Sequence, residues 1–124
     1  MPQDALSGAK ANEYGHKMAK LLAEKILATP ISDSSNEFAF LGKLITIRCA
    51  QQNTKDVGVT LKMLNRIDAV VGAFESSDGR YELIEMSPAL FQQHMRNSKK
   101  EGRIGLVRRK TFQKIGRPLG LYKI

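Results

Sequence analysis

The chain has 124 residues, 42% hydrophobic and 26% charged, and its 20 Lys and Arg outnumber 12 Asp and Glu for a formal net charge of +8. That size and balance describe one globular domain with one core and exclude a disordered chain, and no run of about 18 apolar residues offers a membrane span. The lone Cys49 excludes an internal disulfide framework and a Cys-based zinc site. The opening MPQDALSGAK lacks the apolar stretch of a secretory signal, so a cytoplasmic setting is expected.

In chain order, residues 8–28 are expected to form a helix, with Tyr14, Met18, Leu21, Leu22 and Ile26 on one apolar stripe, Ser7 as a cap and Pro30 as the stop. Residues 29–36 read as a polar loop, 41–50 as a β-branched strand, and 57–64 as a strand with Val57, Val59, Leu61 and Met63 on one face. Ile67 to Phe74 reads as an apolar strand, residues 75–79 as a turn ending in Asp-Gly, and Arg80 to Met86 as the returning strand. Ser87-Pro88 fits an N-cap and first helical position, opening a helix to about Lys100 with Leu90, Phe91, His94 and Met95 inward. Residues 104–108 form a short strand, and the order strand, helix, strand over 80–108 predicts a right-handed crossover to a parallel neighbour. A final edge strand is expected in the tail KIGRPLGLYKI. The pattern is that of an α/β domain over 1–124, with a mixed central β-sheet flanked by helices.

Charge is concentrated at the end. Residues 96–124 hold ten basic side chains against Glu101 alone, a balance of +9 that leaves −1 on the first 95 residues. Such a block, interleaved with apolar residues, points to nucleic acid, with Lys99, Lys100, Arg103, Arg108, Arg109, Lys110, Lys114 and Arg117 as the phosphate-contacting candidates. A solvated or solubilising face is the plain alternative. The segment GRPLG at 116–120 resembles the Gly-Arg-Pro core of minor-groove hooks, or is a turn with Arg117 touching phosphate.

Antiparallel pairing of the central hairpin brings Asp68, at the start of one strand, towards Glu85, at the end of the other. Two close carboxylates favour a hard cation between them, Mg²⁺ or Mn²⁺, with the Met86 carbonyl as a further ligand. A metal there activates water and clamps a phosphodiester. The rival roles are a strand-start acid near Arg66 for Asp68 and a buried salt bridge for Glu85. Glu82, an odd three residues before Glu85, belongs on the opposite face. His16 and His94 read as surface and helix-face residues, and Cys49 as a small buried hydrophobe. No segment resembles the nucleophile elbow of a serine hydrolase.

The segments NRIDAVVGAF and RYELIEMS resemble the catalytic hairpin of the PD-(D/E)XK nucleases, especially archaeal Holliday-junction resolvases and restriction-endonuclease-like proteins, and GAKANEYGHKMAKLL resembles their leading helix. The resemblance implies a restriction-endonuclease-like fold, Asp68 and Glu85 as the catalytic acids, and Glu13 as a third carboxylate on the metal. It departs from the family where Ser87 stands in place of the motif lysine and Ile67 in place of the proline before the Asp. Ser87 supplies no positive charge, so a lysine must arrive from elsewhere, with Lys43, Lys62, Lys99 and Lys100 as candidates, or catalysis is lost. The expected function is a metal-dependent endonuclease acting on DNA, working as a homodimer. The alternatives are a nucleic-acid-binding protein without activity on a degenerate nuclease fold, with RNA also a possible partner, and a small nuclease toxin domain.

Overall fold

The computed structural model describes residues 2–32, 36–77, 79–98 and 103–124, with side chains from residue 14 onward. A long helix, α1 (Pro2–Lys25), opens the chain and lays Ala19, Leu22 and Ala23 onto the core, with Tyr14, Met18 and Ile26 half-buried beside them. It stops before Pro30 is reached. Leu27 turns into the left-handed region at φ 65°, Leu27 N–H bonds Glu24 O, and Ala28 N–H bonds Ala23 O. That pair of bonds is a Schellman ending, here with leucine where glycine is usual.

The strand β1 (Thr29–Pro30) pairs at the edge with β2 (Glu37–Phe40), which turns back into β3 (Lys43–Ala50). The two-residue turn, Leu41 at φ 51° and Gly42 at φ 78°, has the paired positive angles of a type I′ hairpin. Position 41 therefore begins a turn and not the expected strand. In the predicted strand 57–64, only the first half is extended. After β4 (Asp56–Thr60), Thr60 accepts from Met63 N–H at 3.1 Å and caps a single helical turn, α2 (Leu61–Leu64), which ends the alternation.

The central hairpin is β5 (Ala69–Ser77) and β6 (Arg80–Met86), with a bulge between Glu75 and Ser77. Every residue from Ala69 to Phe74 is buried, because β5 has packed layers on both faces. At Gly72 the space is filled by aromatic rings: a Cβ there would lie 2.6 Å from Phe74 and 3.2 Å from Phe112. Ser87 caps α3 (Pro88–His94) by accepting from Leu90 N–H at 3.1 Å, as expected. The helix ends at His94, short of Lys100, because Met95 is extended and leads into β7 (Arg96–Asn97). The chain finishes with β8 (Ile104–Arg108), α4 (Arg109–Ile115) and β9 (Arg117–Lys123).

Two sheets result. The larger has strand order β1-β2-β3-β5-β6-β9, with β3 and β5 its parallel pair, and the smaller has order β4-β8-β7, all antiparallel. The expected crossover from β6 to a parallel β8 does not form. The free edge of β6 is taken by β9, and β8 pairs antiparallel with β4 in the second sheet. The central sheet is thus mixed and flanked by helices, but its parallel crossover is the link from β3 to β5.

The single expected core is divided by the large sheet. Helix α1 covers one face over Phe38, Ile45, Ile47, Val71 and Leu83. The small sheet, α3 and α4 cover the other, where Phe74 and Phe91 each meet Phe112 edge-on, at 5.2 and 6.2 Å between centroids. Among the described residues, no helix is long and apolar enough to cross a membrane.

Candidate active site and basic surfaces

The end of the large sheet where β3 and β5 begin and β6 finishes holds the two acids expected from the hairpin. Asp68 sits in a bend one residue before β5 and extends the parallel β3–β5 pairing: its N–H bonds Leu44 O at 2.7 Å, and its Oδ2 accepts from Leu44 N–H at 2.9 Å. The side chain takes the place of a strand carbonyl and is turned sideways towards β3. Glu85 lies opposite Val71 on β5 and opposite Arg117 on β9. It alternates in step with Tyr81 and Leu83, so it stands on the face that α1 covers.

The expected convergence of the carboxylates is therefore partial. They share one end of the sheet, but one reaches to β3 and the other belongs to β6, with β5 between. Lys43, the residue before Leu44, reaches Glu85 from β3. Its Nζ reaches 3.7 Å from Glu85 Oε1, with side-chain exposures of 46% for the lysine and 12% for the glutamate. Arg117 adds a second cation as the directly paired neighbour of Glu85, and cross-strand pairs have Cβ atoms about 5 Å apart. Of the four lysines that sequence offered to stand in for Ser87, the structure brings Lys43 to Glu85. Lys62 is exposed on α2, and Lys99 and Lys100 lie outside the described residues. The Lys43–Glu85 pairing spans 42 positions of chain and leaves no local signal.

The Glu13 side chain lies outside the described residues, and its neighbour Tyr14 bonds the Tyr81 hydroxyl, four residues before Glu85 on β6 and about 13 Å along the strand. Met86, whose carbonyl is the further candidate ligand, closes β6 opposite Val70, and its side chain is buried beneath the small sheet. Among the described residues, no group of three or more His, Cys, Asp or Glu is placed to hold a metal by itself. The donors present are two carboxylates. Asp68 already accepts from a backbone N–H and Glu85 pairs with Lys43, so the two form no closed cage, and a cation held by one or two carboxylates keeps most of its water.

Glu82 stands on the face opposite Glu85, as its spacing requires, and Gln113 Nε2 of α4 donates to it at 3.4 Å. His16 Nδ1 is 2.7 Å from Asn36 Oδ1, and His94 is exposed at the end of α3. Burial pushes the half-buried Cys49 thiol up to about 12, which keeps it protonated and unreactive near neutrality.

The basic candidates divide by role. Arg103, Arg108, Lys110, Lys114 and Arg117 are exposed. Arg109 is not a free cation and is reassigned to a structural task. Its Nη1 donates to Glu75 O at 3.2 Å, its Nη2 donates to Gln51 O at 2.5 Å and Thr54 O at 3.1 Å, and the guanidinium carbon lies 5.3 Å from the centre of the Phe74 ring. Sequence placed Arg109 in a run of like residues, and nothing local distinguishes it from Arg108 or Lys110. The converse omission is Lys55, which stands outside the basic block and lines an open cleft with Arg96, Arg108, Arg109 and Lys110.

Comparison with protein-family models and with curated proteins finds no match.

Proposed function

We propose that this protein binds nucleic acid and hydrolyses its phosphodiester backbone at the Lys43–Asp68–Glu85 end of the large sheet, with DNA as the substrate and a restriction-endonuclease-like fold as the framework. The observation that carries the reading is the 3.7 Å approach of Lys43 Nζ to Glu85. It supplies an ammonium group to a sheet end whose motif position holds only Ser87, a residue occupied in capping α3.

In this reading Asp68 and Glu85 would hold Mg²⁺ or Mn²⁺, which when bound supplies charge neutralisation and an activated water. Lys43 holds the Glu85 carboxylate in place and presents positive charge to the phosphate. Arg117, beside Glu85 in register, adds a second contact to the backbone. Cutting both strands of a duplex or junction requires two such sites, which a homodimer provides.

The second reading is nucleic-acid binding without cleavage. It is favoured by the Asp68 Oδ2 bond to Leu44 N–H, which gives that carboxylate a structural task. Supercoiled plasmid, a four-way junction and a structured RNA incubated with Mg²⁺, Mn²⁺ or EDTA separate the two. The nuclease reading predicts nicking that EDTA abolishes. Stable binding with all three substrates intact in either ion supports the second reading.

A further inference from the structure

The far end of the large sheet holds a different constellation. An open cleft of about 480 Å³ lies between the β3–β4 connection, β7 and the β8–α4 junction, and Lys55, Arg96, Arg108, Arg109 and Lys110 line it with one carboxylate, Asp56. The charges come from separate stretches of chain held in fixed register. Asp56 pairs with Arg108 and Arg96 with Leu106 across the small sheet, while Arg109 N–H bonds Lys55 O at 2.7 Å. Two of the five cations have partners. Arg96 donates to both Asp56 oxygens, at 3.3 and 2.7 Å, and Arg109 is occupied by loop carbonyls. Lys55, Arg108 and Lys110 are exposed, and none has an anionic partner among the described residues. Three like charges are thus held around one concavity by a braced backbone, an arrangement whose repulsion a phosphate relieves.

We infer that this cleft is a phosphate-binding site for a nucleic-acid backbone, separate from the acids. Arg108 presents a planar fork suited to two phosphate oxygens, and Lys55 and Lys110 act as point charges on the same or the adjoining phosphate. The seven residue steps of β3, from Lys43 to Ala50, separate this cleft from the acid-bearing end by about 23 Å. The inference shares the nucleic-acid partner of the proposed function but not its chemistry, so it stands or fails without any cleavage.

The test is binding in EDTA, read by fluorescence anisotropy on a labelled 20-base-pair DNA duplex and a 20-nucleotide RNA across a salt series. The triple variant Lys55→Ala, Arg108→Ala, Lys110→Ala is expected to bind at least about tenfold more weakly, with the slope of log affinity against log salt reduced by about 2 to 3. A control with the same loss of charge elsewhere, Lys17→Ala, Lys25→Ala, Lys123→Ala, is expected to stay within about threefold of wild type on the same electrostatic grounds. Lys55→Arg with Lys110→Arg keeps the charge and is expected to bind like wild type, which covers the case of a misfolded triple variant. Unchanged affinity and slope in the triple variant overturn the site, as does an equal loss in the control. Vesicles of phosphatidylserine and phosphatidylcholine form the last arm. Vesicle binding that the triple variant loses, while nucleic-acid binding is unaffected, overturns the assignment in favour of a lipid surface.

Discussion

Lys43 and Glu85 meet at 3.7 Å although their strands, β3 and β6, are not neighbours. Between those strands lies β5, whose Ala69 packs on the α1 side of the sheet. An ion pair with a half-exposed lysine contributes about 1 kcal/mol or less to stability.

That modest value makes Lys43 a discriminating position. Lys43→Ala is expected to lower the melting temperature by about 5 °C or less, since about 1 kcal/mol is at stake. If Lys43 serves the phosphate, cleavage falls by about two orders of magnitude in the same variant, a loss typical of removing one preorganised charge. A melting curve and a nicking time course on one preparation separate the two effects. Full activity in Lys43→Ala assigns the residue to structure alone.

Arg109 ties the β3–β4 connection to the end of β5 through the carbonyls of Gln51, Thr54 and Glu75. Arg109→Ala is expected to cost about 3 kcal/mol, because charged hydrogen bonds are each worth roughly 1.5–3 kcal/mol and do not add fully. Arg109→Lys recovers little, since an ammonium lacks the planar fork that serves several carbonyls and lies over Phe74. Urea unfolding measures both. A loss below 0.5 kcal/mol, on the order of an ordinary surface substitution, contradicts the bracing role.

Two exposed leucines occupy left-handed backbone, Leu27 at the end of α1 and Leu41 in the β2–β3 turn. Leu27→Gly and Leu41→Asn place residues suited to those angles and are each expected to stabilise the fold by about 0.5–1 kcal/mol. Denaturant midpoints should rise for both. A fall in either refutes the strain assigned to that turn.

These turns show how unevenly the fold could be read in advance. The β5–β6 hairpin, the Ser87 cap and the α1 stripe follow from local periodicity and turn chemistry, so residues near one another in sequence reveal them. The Leu41-Gly42 turn was hidden because leucine is no turn former, and Thr60 looked like a strand residue until its hydroxyl capped α2. The destination of β8 depended on which strand took the edge of β6, a competition between segments that no local pattern records. The same distinction divides the candidate site. Asp68 and Glu85 stand out as acids bounding an apolar hairpin, whereas the roles of Lys43, Lys55 and Arg109 depend on partners 34 to 58 positions away in the chain.

Alkali provides a test of the α1-side core. Burial raises the Cys49 thiol from 9.0 to about 12. Burial, and then the hydrogen bond that Tyr81 makes with Tyr14, also pushes the Tyr81 hydroxyl up. The folded state retains protons that the unfolded chain releases, so the thiol's contribution is complete below about pH 9 and is lost as pH rises towards 12. Stability should decline over that window, and Cys49→Ala should flatten the decline. An identical alkaline profile for the variant contradicts the assignment to Cys49.

The most direct measurement is single-turnover cleavage by Glu85→Gln beside wild type, with duplex affinity measured on the same samples in EDTA. The substitution keeps the size of the half-buried side chain and removes its charge. Wild type is expected to cleave in a Mg²⁺- or Mn²⁺-dependent way, with a loss of about 100-fold or more in the variant and affinity within about twofold. Equal cleavage by the two proteins contradicts catalysis at Glu85, and so does a wild type that binds the duplex and never cuts it.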